Sequence, residues 1–292
     1  MTDPAAPTQV QSAAPGASAP LAAGLAPEAP GFGARRFGRW NALGAWTLCL
    51  REVRRFTNVW TQTLLGPVIT AALFMAVFTL ALGTRRGEVM GLPFAAFLAP
   101  GIVMMQVIQN SFANTASSIL ISKIQGNIVD TLMPPLSATE LLIGYVFGGV
   151  ARGMCVAAAA GLIAFSVSGV VPAHPLWLLW FAFAGGAMMS LLGILAGLFS
   201  QKFDQMQAFV NFVITPLSFL SGTFYTLDAL PGWAQAAAHA NPIFWLIDGF
   251  RHGALGVSDG SPWIGFAVTL GVIAALAALC RQLFHTGWRL KP

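Results

Sequence analysis

Residues 89–122 of the chain read VMGLPFAAFLAPGIVMMQVIQNSFANTASSILIS, and they contain no Asp, Glu, Lys or Arg. A helix needs roughly 20 apolar residues to cross the hydrocarbon core of a bilayer. The stretch is long enough for such a helix, and a second charge-free stretch, residues 56–84, precedes it. The two stretches predict neighbouring membrane spans.

The composition of the whole chain points the same way. Charged residues make up 9% of the 292 residues, against roughly 25% in an ordinary soluble domain. Hydrophobic residues make up 56%, and the mean hydropathy is +0.71. A water-soluble globule needs more charged surface than this chain can supply. The composition therefore excludes a cytosolic enzyme, a disordered regulator and a disulfide scaffold, and it predicts an all-α polytopic membrane protein.

Charge-free stretches divide the chain into six predicted transmembrane helices. Pro216 is expected to kink the fifth of them. The first 40 residues are rich in Ala and Pro and lack an apolar run, so they are predicted to be a disordered tail before a membrane domain at residues 41–292. The predicted spans are residues 61–83, 94–116, 140–168, 176–199, 206–226 and 262–283.

An amphipathic helix is predicted at residues 46–60, directly before the first span. Apolar and basic residues alternate there with helical spacing, which gives one apolar face and one basic face. Such a helix lies in the plane of the lipid headgroups, although a cytosolic extension of the first span is the alternative. Its charged residues are Arg51, Glu52, Arg54 and Arg55.

The basic residues predict the orientation. With six spans, both termini and the two loops on their side carry most of the Lys and Arg residues, and the opposite side carries only Arg85, Arg86 and Arg251. By the positive-inside rule, both termini are expected to be cytoplasmic. The outer connection before the last span is long and apolar but is broken by Pro231 and Pro242, which predicts re-entrant helices.

Motifs for ATP chemistry are missing from the sequence. A P-loop needs a Gly-Lys pair, and none of Lys123, Lys202 and Lys291 follows a glycine. The chain is therefore not expected to be an enzyme or to bind ATP, another cofactor or a metal ion. Its net charge of +5 shows no basic stripe interleaved with aromatic residues, so no nucleic-acid partner is expected.

Two groups of polar residues have alternative interpretations. Asp248, His252 and His239 could form a metal or acid–base site, or Asp248 and His252 could be an exposed pair on one helix face. Arg152 lies within the third predicted span, where a charge is costly. It either lines a pathway or forms an ion pair inside the helix bundle.

Four stretches of the chain give it a clear family resemblance. They are Leu50–Phe56 (LREVRRF), Phe97–Ile102 (FLAPGI), Gly126–Leu136 (GNIVDTLMPPL), and Pro216–Tyr225 (PLSFLSGTFY) followed by Leu230–Trp233 (LPGW), Asn241-Pro242 and Arg251. Together they resemble the transmembrane permease subunits of ABC-2 type exporters, the branch that includes drug, nodulation-factor and polysaccharide exporters. The resemblance extends over residues 40–290.

The resemblance implies an assembly of two permease copies or paralogues with two P-loop ATPase subunits, which bind the ATP and Mg²⁺, in a bacterial inner membrane. It implies that the loop between spans 2 and 3 is a coupling helix in a groove of the ATPase. The residues that would form this helix are Gln125, Gly126, Asn127, Ile128, Val129, Asp130, Leu132 and Met133. The candidate residues of the pathway and the re-entrant helices are Arg152, Phe219, Gly222, Phe224, Tyr225, Pro231, Trp233, Asn241, Pro242 and Arg251.

Two other functions compete with the exporter. An ion-coupled carrier often binds its ion through acidic residues in the membrane, but in the predicted spans the only acidic residue is Glu140, at a cytoplasmic edge. An intramembrane enzyme would need the polar cluster of Asp248, His239 and His252.

Overall fold

The computed structural model describes residues 40–86 and 88–288 of the chain. Apart from Trp40, the predicted tail lies outside these residues. The helices are α1 (Ala42–Thr57), α2 (Gly66–Arg86), α3 (Phe94–Ile124), α4 (Ile128–Leu132), α5 (Ala138–Ser168), α6 (Pro175–Phe199), α7 (Phe203–Phe209), α8 (Thr215–Ser218), α9 (Gly232–Ala240), α10 (Pro242–Leu255) and α11 (Pro262–Thr286). A two-stranded antiparallel hairpin, β1 (Glu88–Val89) and β2 (Leu92–Pro93), joins α2 to α3.

Within the described residues, five helices are long and apolar enough to cross a membrane: α2 together with the π-helical turn Thr61–Leu65 before it, α3, α5, α6 and α11. The predicted fifth span, residues 206–226, does not form one regular helix. It consists of α7, a π-helical turn at Val210–Ile214, α8, and a second π-helical turn at Phe219–Thr223. The expected fold class, an all-α polytopic membrane protein, is confirmed.

The break in the fifth span lies beyond the predicted kink. Pro216 is in α8, directly after the π-helical turn at Val210–Ile214, and the backbone remains helical on both sides of it. The backbone leaves the helical conformation five residues later, at Ser221 and at Gly222, which has a φ of +77°. This left-handed conformation is costly for residues other than glycine.

Helix α3 is the centre of the bundle. It is buried for most of its length and packs against α2, α5, α6 and α10. In contrast, α2 and α11 leave most of their side chains outside the packed interior. The core of the domain therefore forms around α3 and α6, with α2 and α11 at its edges.

Helix α1 begins and ends earlier than the predicted helix at residues 46–60, and a different face is buried. Asn41 caps its start by accepting a hydrogen bond from the backbone N–H of Gly44 at 3.0 Å. The buried residues are Ala45, Leu48, Cys49, Glu52 and Phe56. The aromatic residues at both ends of the predicted helix, Trp46 and Trp60, are more than half exposed. The buried face thus includes one charged residue.

Two helices between the last two spans are too short to cross a bilayer. Helix α9 has 9 residues and α10 has 14, which at 1.5 Å per residue corresponds to about 21 Å for α10. An asparagine also caps the start of α10: the Asn241 side chain accepts a hydrogen bond from the backbone N–H of Ile243. At the other end, Gly256 terminates the helix with a φ of +76°. Almost all of α10 is buried, against α3, α6 and α11.

Candidate functional site

The predicted coupling segment is an exposed turn of helix at the end of α3. Gln125 ends α3, and Gly126 has a φ of +75°, so α4 begins only at Ile128 rather than at Gln125. Ile128 is buried beside Leu48 and Leu141 and anchors the segment. The other members with described side chains point outward and are exposed: Gln125, Gly126, Asn127, Val129, Asp130 and Met133. The side chain of Leu132 lies outside the description.

The exposed part of α4 includes two large apolar side chains. Val129 is 52% exposed and Met133 is 77% exposed. Both are next to polar loop residues rather than inside a long apolar helix. Apolar side chains that cluster at such a position are typical of a protein–protein contact.

A cavity of about 590 Å³ separates α1 from α4 and the end of α3. Most of the residues that line it are polar, and three of them are arginines. The charged residues in the lining are Arg51, Glu52, Arg54, Arg55 and Asp130. This cavity and the exposed residues of α4 form one surface, which we call the α1–α4 surface.

Two side chains of α1, Arg51 and Cys49, have shifted pKa values. Burial by itself lowers the pKa of Arg51, but nearby Tyr145 and Glu52 outweigh it and raise the pKa. Burial raises the pKa of the Cys49 thiol, so this residue remains protonated at neutral pH. The Arg51 guanidinium on the α1–α4 surface therefore stays charged throughout the physiological pH range.

Arg152 lies close to α1 rather than deep in the bundle. Gly148, one turn earlier in α5, packs directly against Glu52. Arg152 is therefore about 6 Å beyond the level of α1 along α5. Its Nη2 donates a 2.8 Å hydrogen bond to Oδ1 of Asn110 on α3. Arg152 is therefore hydrogen-bonded to the side-chain amide of a neighbouring helix.

At the other end of α3, a buried ion cluster surrounds Arg251. The Arg251 side chain is completely buried, with its Nη1 3.6 Å from Asp248 Oδ1 and 3.4 Å from Asp259 Oδ2. Its guanidinium lies 4.3 Å from the centre of the Phe97 ring. Its Nη2 donates to the carbonyl oxygen of Gly222. Arg251 thus joins α10 to the break in the fifth span.

The cluster around Arg251 shows that the predicted exposed pair of Asp248 and His252 is wrong. Asp248 is 1% exposed, and its carboxylate also accepts hydrogen bonds from the backbone N–H groups of Asp259 and Gly260 at 2.8 and 2.9 Å. His252 instead stacks on His174, with ring centroids 5.1 Å apart. Among the described residues, no group of three or more His, Cys, Asp or Glu side chains could hold a metal ion.

The remaining pathway candidates fall into four places. Asn241, at the start of α10 beside Pro242, donates a 2.8 Å hydrogen bond to Ser221 Oγ and so reaches the break at Gly222. Phe219 and Phe224 stack on each other, and Phe224 also contacts Phe74 and Phe78 of α2.

Tyr225 closes its own turn by donating a 2.7 Å hydrogen bond to the carbonyl oxygen of Leu220. Pro231 and Trp233, at the start of α9, are exposed, with Trp233 78% exposed. The structure therefore brings Gly222, Asn241 and Arg251 together and leaves Trp233 and Arg152 apart from them.

The sequence analysis missed the buried partners of these residues. Asp259 and Thr131 each contact a residue that was singled out, but their own positions gave no sign of burial. Glu52 was singled out as a charged residue of the amphipathic helix, and only its burial was not predicted. The spacing of Asp248 and Arg251, three residues apart on a helix, is the one signal that could have predicted an ion pair.

The fold is that of a polytopic membrane protein, with a polar surface at one end of α3 and a buried ion cluster at the other. Residues 44–255 match the ABC-2 type transporter family. The chain belongs to this family, and the resemblance found in the sequence is confirmed.

Curated relatives extend over most of the chain. The inner membrane transport permease YadH of Escherichia coli (strain K12) is 38% identical over 258 residues, which is 86% of this chain and 98% of that protein. Nodulation protein J of Rhizobium meliloti (strain 1021) is 22% identical over 242 residues, 82% of this chain and 89% of that protein. Nodulation protein J of Neorhizobium galegae is 25% identical over 260 residues, 84% and 95% respectively. This chain is a transport permease.

Proposed function

We propose that this permease is the membrane-spanning subunit of an ATP-driven exporter and that a separate P-loop ATPase subunit docks on the α1–α4 surface. The observation that carries the proposal is the exposure of Val129 and Met133 on α4 beside a cavity lined by three arginines. The sequence has no Gly-Lys pair for a P-loop of its own, so ATP must be bound by a partner if it drives transport.

The α1–α4 surface is suited to receive a mechanical input. Ile128 anchors α4 to the cluster of Leu48 and Leu141, so a force on α4 reaches α1 and α5. ATP binding can shift a transporter between two states only through its different affinity for them. An ATPase that closes when it binds ATP supplies this difference in affinity if its closed form fits only one of the two positions of α4.

A second permease copy or paralogue would complete the pathway, in an assembly of two permeases and two ATPases. Helix α2 supports this with a row of exposed apolar side chains, Ile69, Leu73, Val77 and Leu80. The fifth span adds Phe212 and Leu220, which are 80% and 60% exposed. Substrate would pass between the two copies and leave past α9 and α10.

We place this assembly in a bacterial inner membrane with both termini in the cytoplasm. The location rests on the similarity to an inner membrane transport permease. The orientation rests on the greater number of basic residues on the side of the termini. It puts the α1–α4 surface in the cytoplasm, where ATP is available, and Arg251 toward the outside.

Charge reversal of the docking surface tests the proposal. The double variant Val129→Glu, Met133→Glu adds two charges to α4, and we expect it to lower the yield of co-purified ATPase at least about tenfold. Val171→Glu is the matched control, because Val171 is 82% exposed in the loop between α5 and α6. Equal ATPase recovery with the double variant and with wild type would contradict docking at α4.

A further inference from the structure

Glu52 is a buried carboxylate on a helix that otherwise turns its charges outward. It is 0% exposed, whereas its neighbours Arg51 and Arg55 keep 44% and 30% of their side chains exposed. Burying a carboxylate is costly unless its oxygens are paired and hydrogen-bonded. The contacts of Glu52 therefore have to explain its position.

Both carboxylate oxygens of Glu52 are bound by arginines of α1. Arg51 Nη2 lies 3.0 Å from Oε1, and Arg55 Nε lies 3.3 Å from Oε2. The carboxylate separates two guanidinium groups that would otherwise repel each other on adjacent helix faces. It consequently determines the direction in which each arginine extends.

Arg51 connects Glu52 to the predicted docking helix. Its other terminal nitrogen, Nη1, donates a 2.8 Å hydrogen bond to Oγ1 of Thr131 on α4. Thr131 is buried, in contrast to the exposed Val129 on the same helix. The buried side of α4 is thus tied to α1 through a charged side chain, in addition to the apolar contact of Ile128.

Arg55 and Glu52 connect the same site to α3. Ser118 Oγ donates a 2.9 Å hydrogen bond to Glu52 Oε1. Arg55 Nη2 donates to Oδ1 of Asn114 at 3.0 Å. Asn114 and Ser118 are four residues apart and share one face of α3 with Asn110, which binds Arg152. This face holds three polar contacts over eight residues, or about 12 Å.

The backbone of α5 leaves room for the Glu52 side chain. A Cβ atom at Gly148 would lie 2.4 Å from the Cβ of Glu52, and one at Gly144 would lie 2.4 Å from Cδ2 of Leu48. Glycine at both positions lets α1 approach α5 closely enough to hold the carboxylate out of water. The ionic contacts are thereby strengthened, because screening by solvent is weak in this space.

We propose that Glu52 is a positioning residue: its carboxylate holds Arg51 on Thr131 and Arg55 on Asn114, and so ties α4 to α3 in one arrangement. The description of α4 as the ATPase-docking helix rests on the proposed function, but the tie itself does not. Movement of α4 would pull on Arg51, and the carboxylate would pass the displacement to α3 through Arg55 and Ser118.

A nitroxide label on the permease alone tests the tie. The label is placed on Val129→Cys of the full chain, in a background where the native cysteines are serine, and its mobility is read by electron paramagnetic resonance. Glu52→Gln keeps the shape of the side chain and removes its charge. We expect the ratio of mobile to immobile label to rise about tenfold, which is the effect of losing one hydrogen bond to a charged group.

A second variant removes the same tie at its other end. Thr131→Val deletes only the hydroxyl, and we expect it to mobilise the label to the same extent. Since both changes break one connection, the double variant Glu52→Gln, Thr131→Val should mobilise it no further. Arg54→Gln is the control for a charge change on α1 and should leave the spectrum as in wild type.

The outcomes separate this inference from the proposed function. An unchanged spectrum in Thr131→Val, or in a Glu52→Gln variant that elutes as a folded permease, would overturn the tie, whether or not an ATPase binds. If the label is mobilised as expected but no ATPase co-purifies with wild type, the tie stands and the docking proposal fails.

Discussion

Arg251 offers the sharpest test of the buried ion cluster. The change Arg251→Met keeps a long side chain but leaves Asp248 and Asp259 buried without their cation. Their side chains are 2% and 4% exposed, so water can offset little of the lost interaction. Breaking a buried ion pair by removing one partner costs about 3–5 kcal/mol. The carbonyl of Gly222 also loses the hydrogen bond from Arg251.

The expected loss can be measured as a shift in thermal unfolding. At about 2–4 °C per kcal/mol for a chain of this size, the unfolding midpoint in detergent should fall by roughly 6–20 °C. The measurement is the temperature dependence of the folded fraction, followed by size-exclusion chromatography of heated samples. Arg54→Met is the control, because Arg54 is exposed and its removal should shift the midpoint by about 2 °C at most.

The pH dependence of this loss has a definite sign. Burial raises the pKa of Asp259, and Arg251 opposes that rise. Without Arg251 the pKa rises further, so the folded variant takes up a proton more readily than the unfolded chain. The loss of stability caused by Arg251→Met is therefore largest at pH 8 and becomes smaller as the pH falls toward 5. A midpoint equal to that of wild type, or a gap that widens on acidification, would show that Arg251 does not compensate the two buried carboxylates.

Three further changes have expected outcomes. Gly253→Ala should lower the unfolding midpoint, by the equivalent of about 1–3 kcal/mol, because its Cβ would lie 2.4 Å from the backbone nitrogen of Leu178; Gly271→Ala, with nothing within 4 Å, should not. Lys123→Met should cost about 1–3 kcal/mol in the same assay, because Lys123 Nζ donates to the carbonyl oxygens of Gly197, Leu198 and Ser200 at the end of α6. Two of the three cysteines are buried, and Cys155 is on a membrane span. A water-soluble maleimide should therefore leave the folded chain almost unlabelled and should react with all three cysteines after denaturation. Rapid labelling of the folded chain would contradict this packing.

Charge-free stretches predicted the class of fold because a charge inside a bilayer is costly. They predicted the limits of the helices less well. The second span was predicted to end at residue 116, but α3 continues to Ile124. Its last two turns carry Ser and Lys residues, which end a hydropathy window without ending a helix. Hydropathy reports the surroundings of a side chain, whereas hydrogen bonds of the backbone determine where a helix stops.

The burial of Glu52 could not be predicted from the pattern on α1. A helical pattern assigns each charged residue to the outer face, and Glu52 lies among Arg51, Arg54 and Arg55. Its inward position depends on Ser118 and Gly148, which lie 66 and 96 residues away in the chain. The burial of Arg251 could not be predicted either. As a single basic residue in a predicted loop, it was used only to infer the orientation of the chain in the membrane. Its burial depends on Gly222 and Phe97, which only the folded chain brings beside it.

The central claim, that this permease works with a separate ATPase, is tested most directly by its native mass. The tagged full chain is purified from its native host in mild detergent and analysed by native mass spectrometry, with the bound proteins identified by sequence. We expect a complex of two permease chains and two subunits of a P-loop ATPase. A permease that is recovered alone, and that still transports in vesicles without ATP until a protonophore is added, would contradict the account and favour an ion-coupled carrier.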